Sequence, residues 1–252
     1  MSTIEILLPA LGLAFLLVGI HTIFGLEIIK RGVIFTDLAV GQLSAVGIAV
    51  SATFFSGEKQ VLLSLIFALT GALLITYANR NTRHVEAFIG LLYALGASAV
   101  MIVLSSGSGG DELFKQLMAN DILFVSSGEV TKSALTYGAV ALLYYTLYPR
   151  LSGFFKELFF FSLLSVTVTS SVQLAGVLVV FTLLIAPALV ALLQKRLNPL
   201  LFGWIYGWFF ISLALFLSYH YDWPTGYSIV FVGTLITLIL VLFMEKKREV
   251  NN

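Results

Sequence analysis

The chain has 252 residues, of which 59% are hydrophobic and 11% charged, with 21 glycines, no cysteine and a net charge of +1. Its mean hydropathy is +1.01. Soluble domains carry about a quarter charged residues, so this composition specifies a polytopic membrane protein. Without cysteine, disulfides and thiolate zinc clusters are excluded, and any metal must be held by oxygen or imidazole. The near-zero net charge argues against nucleic acid as a partner.

The first apolar run, Ile6 to Leu26, follows Glu5 instead of a basic segment and shows no small-residue cleavage pattern, so it reads as a retained span. Further runs long enough to cross ~30 Å of hydrocarbon follow, with polar breaks between them. The breaks fall at Lys30-Arg31, Ser56 to Gln60, Asn79 to His84, Ser105 to Lys132, Pro149 to Glu157, near Ser170-Ser171, Gln194 to Pro199, Ser218 to Thr225 and after Met244. The predicted fold is all-α, a transmembrane helical bundle of nine crossings, or eight if the short run Leu158 to Ser171 is a broken or re-entrant helix. In the long loop, Leu113, Phe114, Leu117 and Met118 recur at helical spacing. Asp111 to Ala119 therefore reads as an amphipathic helix on the outer interface.

Cytoplasmic loops near span ends are enriched in Lys and Arg. With the N-terminus outside, the inner loops hold 11 of the 14 basic residues, leaving Lys59, Lys115 and Lys132 outside. The C-terminus is then cytoplasmic.

No phosphate loop, His-Glu-x-x-His or Gly-x-Ser-x-Gly is present, so nothing supports an enzyme or ATP binding by the chain itself. The informative stretch is His21 to Gly47. His21 lies nine residues before Lys30 and Asp37 six after Arg31, which puts both roughly 9 to 14 Å into the apolar layer at ~1.5 Å per residue. An ionisable group at that depth is costly and usually functional. On a helix Asp37, Gly41, Ser44 or Ala45, and Ile48 share a face, as do His21 and Gly25. A carboxylate and an imidazole suit a borderline divalent cation. The plainer alternative is an Asp that caps or bridges helices and a His bonded to a backbone carbonyl.

Other polar residues have structural and functional readings side by side. Glu86 at the fourth span's inner mouth is placed either to cap its helix or to line a path. His220 and Asp222, beside Trp223 and Pro224, fit an interfacial turn or a metal contact at the outer face. Pro187 should kink its helix for packing or gating. Thr167, Thr169, Ser170, Ser171 and Gln173 line the neighbouring break, where they could satisfy freed backbone groups.

Several strings, in order, resemble one family. Lys30-Arg31-Gly32 through Asp37 to Ala45 resembles the basic turn and Gly-Asp-Ala-x-Ser-His-Ala of permease subunits of ABC importers for zinc, manganese and iron. Glu86 to Gly96 is similar to that family's acidic residue and Ile-Gly helix, and Asn120 to Ser126 to its Gly-Asn-Ile-Leu-x-Val-Ser loop. Gln173 to Val180 with Leu183 to Ala188, and Tyr219 to Gly226, complete five matches along nearly the whole chain.

The resemblance implies one transmembrane permease domain over residues 1–252, in a bacterial cytoplasmic (inner) membrane. It implies a homodimer surrounded by lipid, a cytoplasmic ATP-binding subunit that alone binds ATP, and an extracytoplasmic metal-binding protein. No covalent cofactor is implied; the divalent metal ion is the substrate, moved by alternating access. Asp37 matches the family's metal-binding aspartate, but Gly41 stands where its histidine would be. Gln42 is one residue off that face, and His21 is the candidate to supply the imidazole. The family's Asp-Pro-x-x-Ala-x-x-Leu-Gly helix is absent, leaving Pro149, Arg150, Lys156 and Glu157 as the candidate ATPase contact. Two alternatives stay open: a permease for a metal chelate or siderophore, which would not need Asp37, and a proton-coupled secondary transporter using Asp37 and His21 without an ATPase.

Overall fold

A computed structural model describes residues 3–107, 113–115, 117 and 122–250. Among them are nine helices: α1 (Thr3–Arg31), α2 (Thr36–Phe54), α3 (Gln60–Asn81), α4 (Val85–Leu104), α5 (Ser127–Thr146), α6 (Gly153–Ala175), α7 (Val177–Leu193), α8 (Pro199–Tyr221) and α9 (Thr225–Val250). No strand occurs among the described residues. Seven helices are long and apolar enough to cross a membrane: α1 from Leu8, α2, α3, α4, α6, α8 and α9 up to Glu245. The shorter apolar helix α7 has 17 residues, and α5 carries Glu129 and Lys132 near its start.

The helix ends follow local chemistry. Gly32, at φ +68°, stops α1 after its basic last turn. Asn198 accepts from the N–H groups of Leu200 and Leu201 at 2.9 and 3.4 Å, with Pro199 in the first turn of α8. Three boundaries differ from the sequence reading. The segment Leu158 to Ser171 is not a broken helix but part of the continuous 23-residue α6. Its break falls after Ala175, where Gly176 takes φ +87°, not at Ser170-Ser171, because those serines bond to neighbours inside the bundle. And α5 starts at Ser127, inside the stretch assigned to the loop Ser105 to Lys132.

The early start of α5 has a visible cause in a reciprocal capping box. The Ser126 N–H and hydroxyl donate to the Glu129 carboxylate at 2.8 and 2.7 Å, and the Glu129 N–H returns a bond to the Ser126 hydroxyl at 3.3 Å. These bonds hold the Glu129 carboxyl below the usual range. Of the expected amphipathic helix, Leu113, Phe114 and Leu117 pack on the α2 and α4 core around Ala45, Ala49 and Val100. Asp111, Glu112, Gln116, Met118 and Ala119 of that stretch, and the matched residues Asn120 and Asp121, lie outside the described residues.

The chain divides into two compact units. Unit 1 comprises Met1–Arg31, Asp121–Ser133 and Leu178–Asn252. Here α1 meets α8 at glycines: a Cβ on Gly203 would stand 2.6 Å from Thr22 Cγ2, and one on Gly207 2.6 Å from Val18 Cγ1. The indole N–H groups of Trp204 and Trp208 donate to the carbonyls of Gly19 and Phe15 at 3.0 and 3.3 Å. Gly25 lies on α7, where a Cβ would strike the Leu184 carbonyl. Tyr206 and Thr237 hydroxyls join α8 to α9 at 2.7 Å.

Unit 2 comprises Gly32–Asn120 and Ala134–Val177. Its centre is α2, with 13 buried residues, packed against α3, α4 and α6. A Cβ on Gly47 would come within 2.5 Å of the Leu63 backbone, and one on Gly96 within 2.9 Å of Gln42 Cβ. Helices α3 and α6 run antiparallel, tied by Asn79 to Glu157 at 3.4 Å, Ser165 to the Ala68 carbonyl at 3.3 Å and Gln173 to Ser64 at 2.9 Å.

These approaches fix the expected outcome of glycine replacement. Gly47→Val should drive α3 off α2 and abolish a monodisperse peak in detergent size-exclusion chromatography. Gly90→Ala, where a Cβ meets nothing within 4 Å, should elute unchanged and gain up to ~1 kcal/mol in helix propensity.

Candidate functional site

Asp37 sits in the first turn of α2, placed there by the turn Gly32 to Phe35 that ends the basic break. The Thr36 hydroxyl closes this turn on the Val33 carbonyl at 2.8 Å. The carboxylate is 1% exposed and neither oxygen has a hydrogen-bond partner. The backbone N–H groups of Asp37 and Leu38, at the positive end of α2, act on it. A carboxylate desolvated this far without a paired cation leaves its lone pairs available to a ligand.

The α2 N-terminus is held from another helix. Glu86, in the first turn of α4, accepts the Phe35 N–H at 3.1 Å through Oε1, while Oε2 is buried without a partner. Glu86 therefore holds the start of α2 from a distance, where the sequence offered a cap on its own helix or a place on the path. Partners 51 residues apart leave no local signal that sequence reasoning could use.

Gly41, one turn beyond Asp37, faces α6. A Cβ there would stand 3.4 to 3.6 Å from methyls of Val177, Val168 and Val172. The place of the resembling family's histidine is thus walled by valines, with room for little more than a methyl. Gln42 is buried on the α4 side, its Cβ against Gly96, and so is turned away from Gly41. Gln173 is tied to Ser64 of α3. Ser171 and Thr167 donate to their own helix at 2.7 and 2.9 Å, and Ser171 also meets the Tyr137 hydroxyl at 3.0 Å. Gln173 and Ser171 fasten α6 to its neighbours, Thr167 bonds within it, and none of them marks a break.

In unit 1, His21 is fully buried and its Nδ1 lies 2.8 Å from the Leu17 carbonyl. A carbonyl can only accept, so Nδ1 carries the proton and Nε2 presents a lone pair. Nε2 has no partner. Pro187 packs against α8, its ring 3.2 Å from where a Gly207 Cβ would stand and its carbonyl 3.3 Å from that of Gly203. His220 stacks on Phe216 at 6.0 Å, and Asp222 closes α8 in the left-handed conformation at φ 54°. Both are exposed and belong to a turn pinned by the Ser218 hydroxyl to the Trp223 carbonyl at 2.7 Å. Among the described residues no three His, Asp or Glu side chains cluster as a metal site.

At the start of α6, Lys156 Nζ lies 4.8 Å from the Tyr148 ring and the Arg80 guanidinium 5.9 Å from Phe154. Pro149 and Arg150 are exposed in the short 3₁₀ turn Tyr148–Arg150, and Phe155 is 70% exposed. Two basic loops, Asn79 to His84 and Tyr148 to Glu157, thus meet at one end of unit 2.

The ABC 3 transport family is matched over residues 3–244. The manganese transport system membrane protein MntC of Listeria monocytogenes is 26% identical over 253 residues, covering 90% of this chain and 89% of that protein. The manganese import system permease protein ScaB of Streptococcus gordonii is 26% identical, covering 89% and 86%. A probable iron transport system membrane protein of Haemophilus influenzae is 26% identical, covering 82% and 79%. Among solved structures, "PsaBC from Streptococcus pneumoniae in complex with Fab" shares the fold with a TM-score of 0.78 at 22% identity, over 95% of this chain and 92% of that one. An inward-facing putative metal-chelate type ABC transporter gives 0.69 at 17%, over 93% and 85%.

The Glu86 cap has a measurable signature. Glu86→Ala should lower thermal stability in detergent by ~1 kcal/mol, the scale of a lost N-terminal cap. Glu86→Gln, which keeps the acceptor oxygen, should retain most of it in the same melt.

Proposed function

Because this chain belongs to the ABC 3 transport family, we propose that it is the membrane permease of an ABC importer for a divalent metal ion, driven by a separate ATPase subunit. The observation that carries this reading is Asp37, a buried carboxylate with two unpartnered oxygens and the one charged residue of α2. Manganese and iron stand first as cargo, because the relatives are named for them; zinc remains a member of the same ligand class. Metal delivered by an extracytoplasmic binding protein passes Asp37 in each copy of a homodimer. His21, with its free Nε2, is a second pathway residue. ATP is bound by the partner alone, and alternating access converts its hydrolysis into inward release.

The whole chain acts as one permease domain in a bacterial cytoplasmic membrane, with the N-terminus outside and the C-terminus inside. Arg80 beside Phe154 brings their two basic loops to one end of unit 2, and the charge rule assigns that end to the inner side. Nine crossings follow if α5 and α7 also span. Pro149, Arg150, Lys156 and Glu157 form the ATPase contact, and exposed Phe155 beside them offers an apolar anchor.

Uptake by proteoliposomes holding the chain, its ATPase and its binding protein tests this. ATP-dependent accumulation of manganese or iron is expected. Asp37→Asn should cut it at least ~10-fold, the scale on which even outer-shell changes to metal sites act, and His21→Ala should lower it as well. Uptake of a metal chelate unaffected by Asp37→Asn, or uptake driven by a pH gradient without the ATPase, would replace this reading.

A further inference from the structure

The helices around Asp37 in unit 2 hold more unsatisfied oxygen than one carboxylate. Helical hydroxyls commonly donate to the carbonyl three or four residues back, as those of Thr70, Thr76, Ser98 and Thr167 do in this unit. Ser44 and Ser51 on α2 and Thr169 on α6 do not. Their hydroxyls are buried, at 0%, 0% and 4% exposure, and meet no partner.

Their placement is ordered. A seven-residue step along a helix drifts only ~20° and climbs ~10.5 Å, so Asp37, Ser44 and Ser51 form a single row ~21 Å long. On one flank of the row, Val40, Leu43 and Gly47 meet α3. On the other, Gly41 meets Val168 and Val172 of α6. The row therefore faces the seam where α3 and α6 are themselves tied by Ser165 and Gln173. Thr169 lies one turn from each of those two residues, on the α6 face that borders the same seam.

We propose that Ser44, Ser51 and Thr169 continue the cation path from Asp37 across unit 2, forming an all-oxygen row that takes a hard divalent cation of the manganese kind. The proposal rests on the reading of Asp37 as a metal-path residue. Neutral hydroxyl oxygens and one carboxylate are the donor set that hard, partly hydrated cations accept, whereas thiolate and imidazole select softer ones. No thiol exists in the chain, and the histidine of unit 2, His84, is exposed on the loop before α4. Spacing of ~10 Å between successive oxygens suits a cation that keeps part of its water shell and is passed on without being trapped. An anionic group at every step would bind too tightly to release.

The test uses the complete reconstituted transporter and compares Mn²⁺ with Cd²⁺ uptake and ATPase activity. Ser44→Ala, Ser51→Ala and Thr169→Val should each reduce Mn²⁺ uptake roughly two- to tenfold, the scale of one lost polar contact, with ATPase activity retained. Ser44→Cys and Ser51→Cys keep the side-chain volume but exchange oxygen for sulfur, and should shift the Cd²⁺ to Mn²⁺ ratio upward. Ser98→Cys, exposed on α4, should leave the ratio unchanged. Unaltered Mn²⁺ uptake in the Ala and Val variants, or equal loss of both metals in the Cys variants, would overturn the proposal. Failure of the wild-type complex to accumulate any divalent cation would instead remove the metal reading of Asp37 on which it stands.

Discussion

Two transmembrane helices gain little by burying leucine against leucine, since the lipid they leave is as apolar as the contact they make. What holds each unit is close backbone approach at positions lacking a Cβ. In unit 1 these are Gly25 on α7 and Gly203 and Gly207 on α1; in unit 2 they are Gly47 on α3 and Gly96 on α2. Dispersion contacts fall off steeply with distance, so a methyl at any of them would forfeit the surrounding contacts as well as add a clash. The polar interior depends on this. Backbones drawn together at glycine leave narrow seams in which only small or short polar side chains fit.

Within unit 2 the polar side chains fall into two sets. One set is mechanical: Asn79 to Glu157, Ser165 to Ala68 and Gln173 to Ser64 link α3 to α6 near its start, its middle and its end, and Oε1 of Glu86 holds the start of α2. The other set is unsatisfied and headed by Asp37. An orphaned buried oxygen costs free energy that the surrounding packing must offset. The two sets also explain why the α6 serines and threonines do not mark a break: most are fasteners, while Thr169 belongs with the orphans.

Much of the architecture was legible in the chain. Among the described residues, hydropathy runs located the helices α1 to α9, because a helix that crosses lipid satisfies its own backbone bonds and is apolar for most of its length, as the seven long apolar ones are. The missed boundaries were local: Ser126 and Glu129 begin α5 by reciprocal bonding, and Gly176, not Ser170-Ser171, ends α6. Neither is visible to a hydropathy window, since a capping box is polar and α6 serines look like a loop until their partners are known. Asp37 and His21 could be singled out because an ionisable residue deep in an apolar run is rare whatever surrounds it.

By itself the amino-acid sequence determined the membrane class, the order of the helices, the buried acid and the absence of a histidine at Gly41, all properties of composition, spacing and identity along one strand of chain. The tertiary structure alone decided that valines wall Gly41, that Glu86 caps α2 from 51 residues away, and that Ser44, Ser51 and Thr169 remain without partners while similar hydroxyls do not. Those outcomes depend on which backbone arrives within hydrogen-bonding reach of which side chain. That proximity is set by helix packing in three dimensions and leaves no periodic trace in the chain that folds into it.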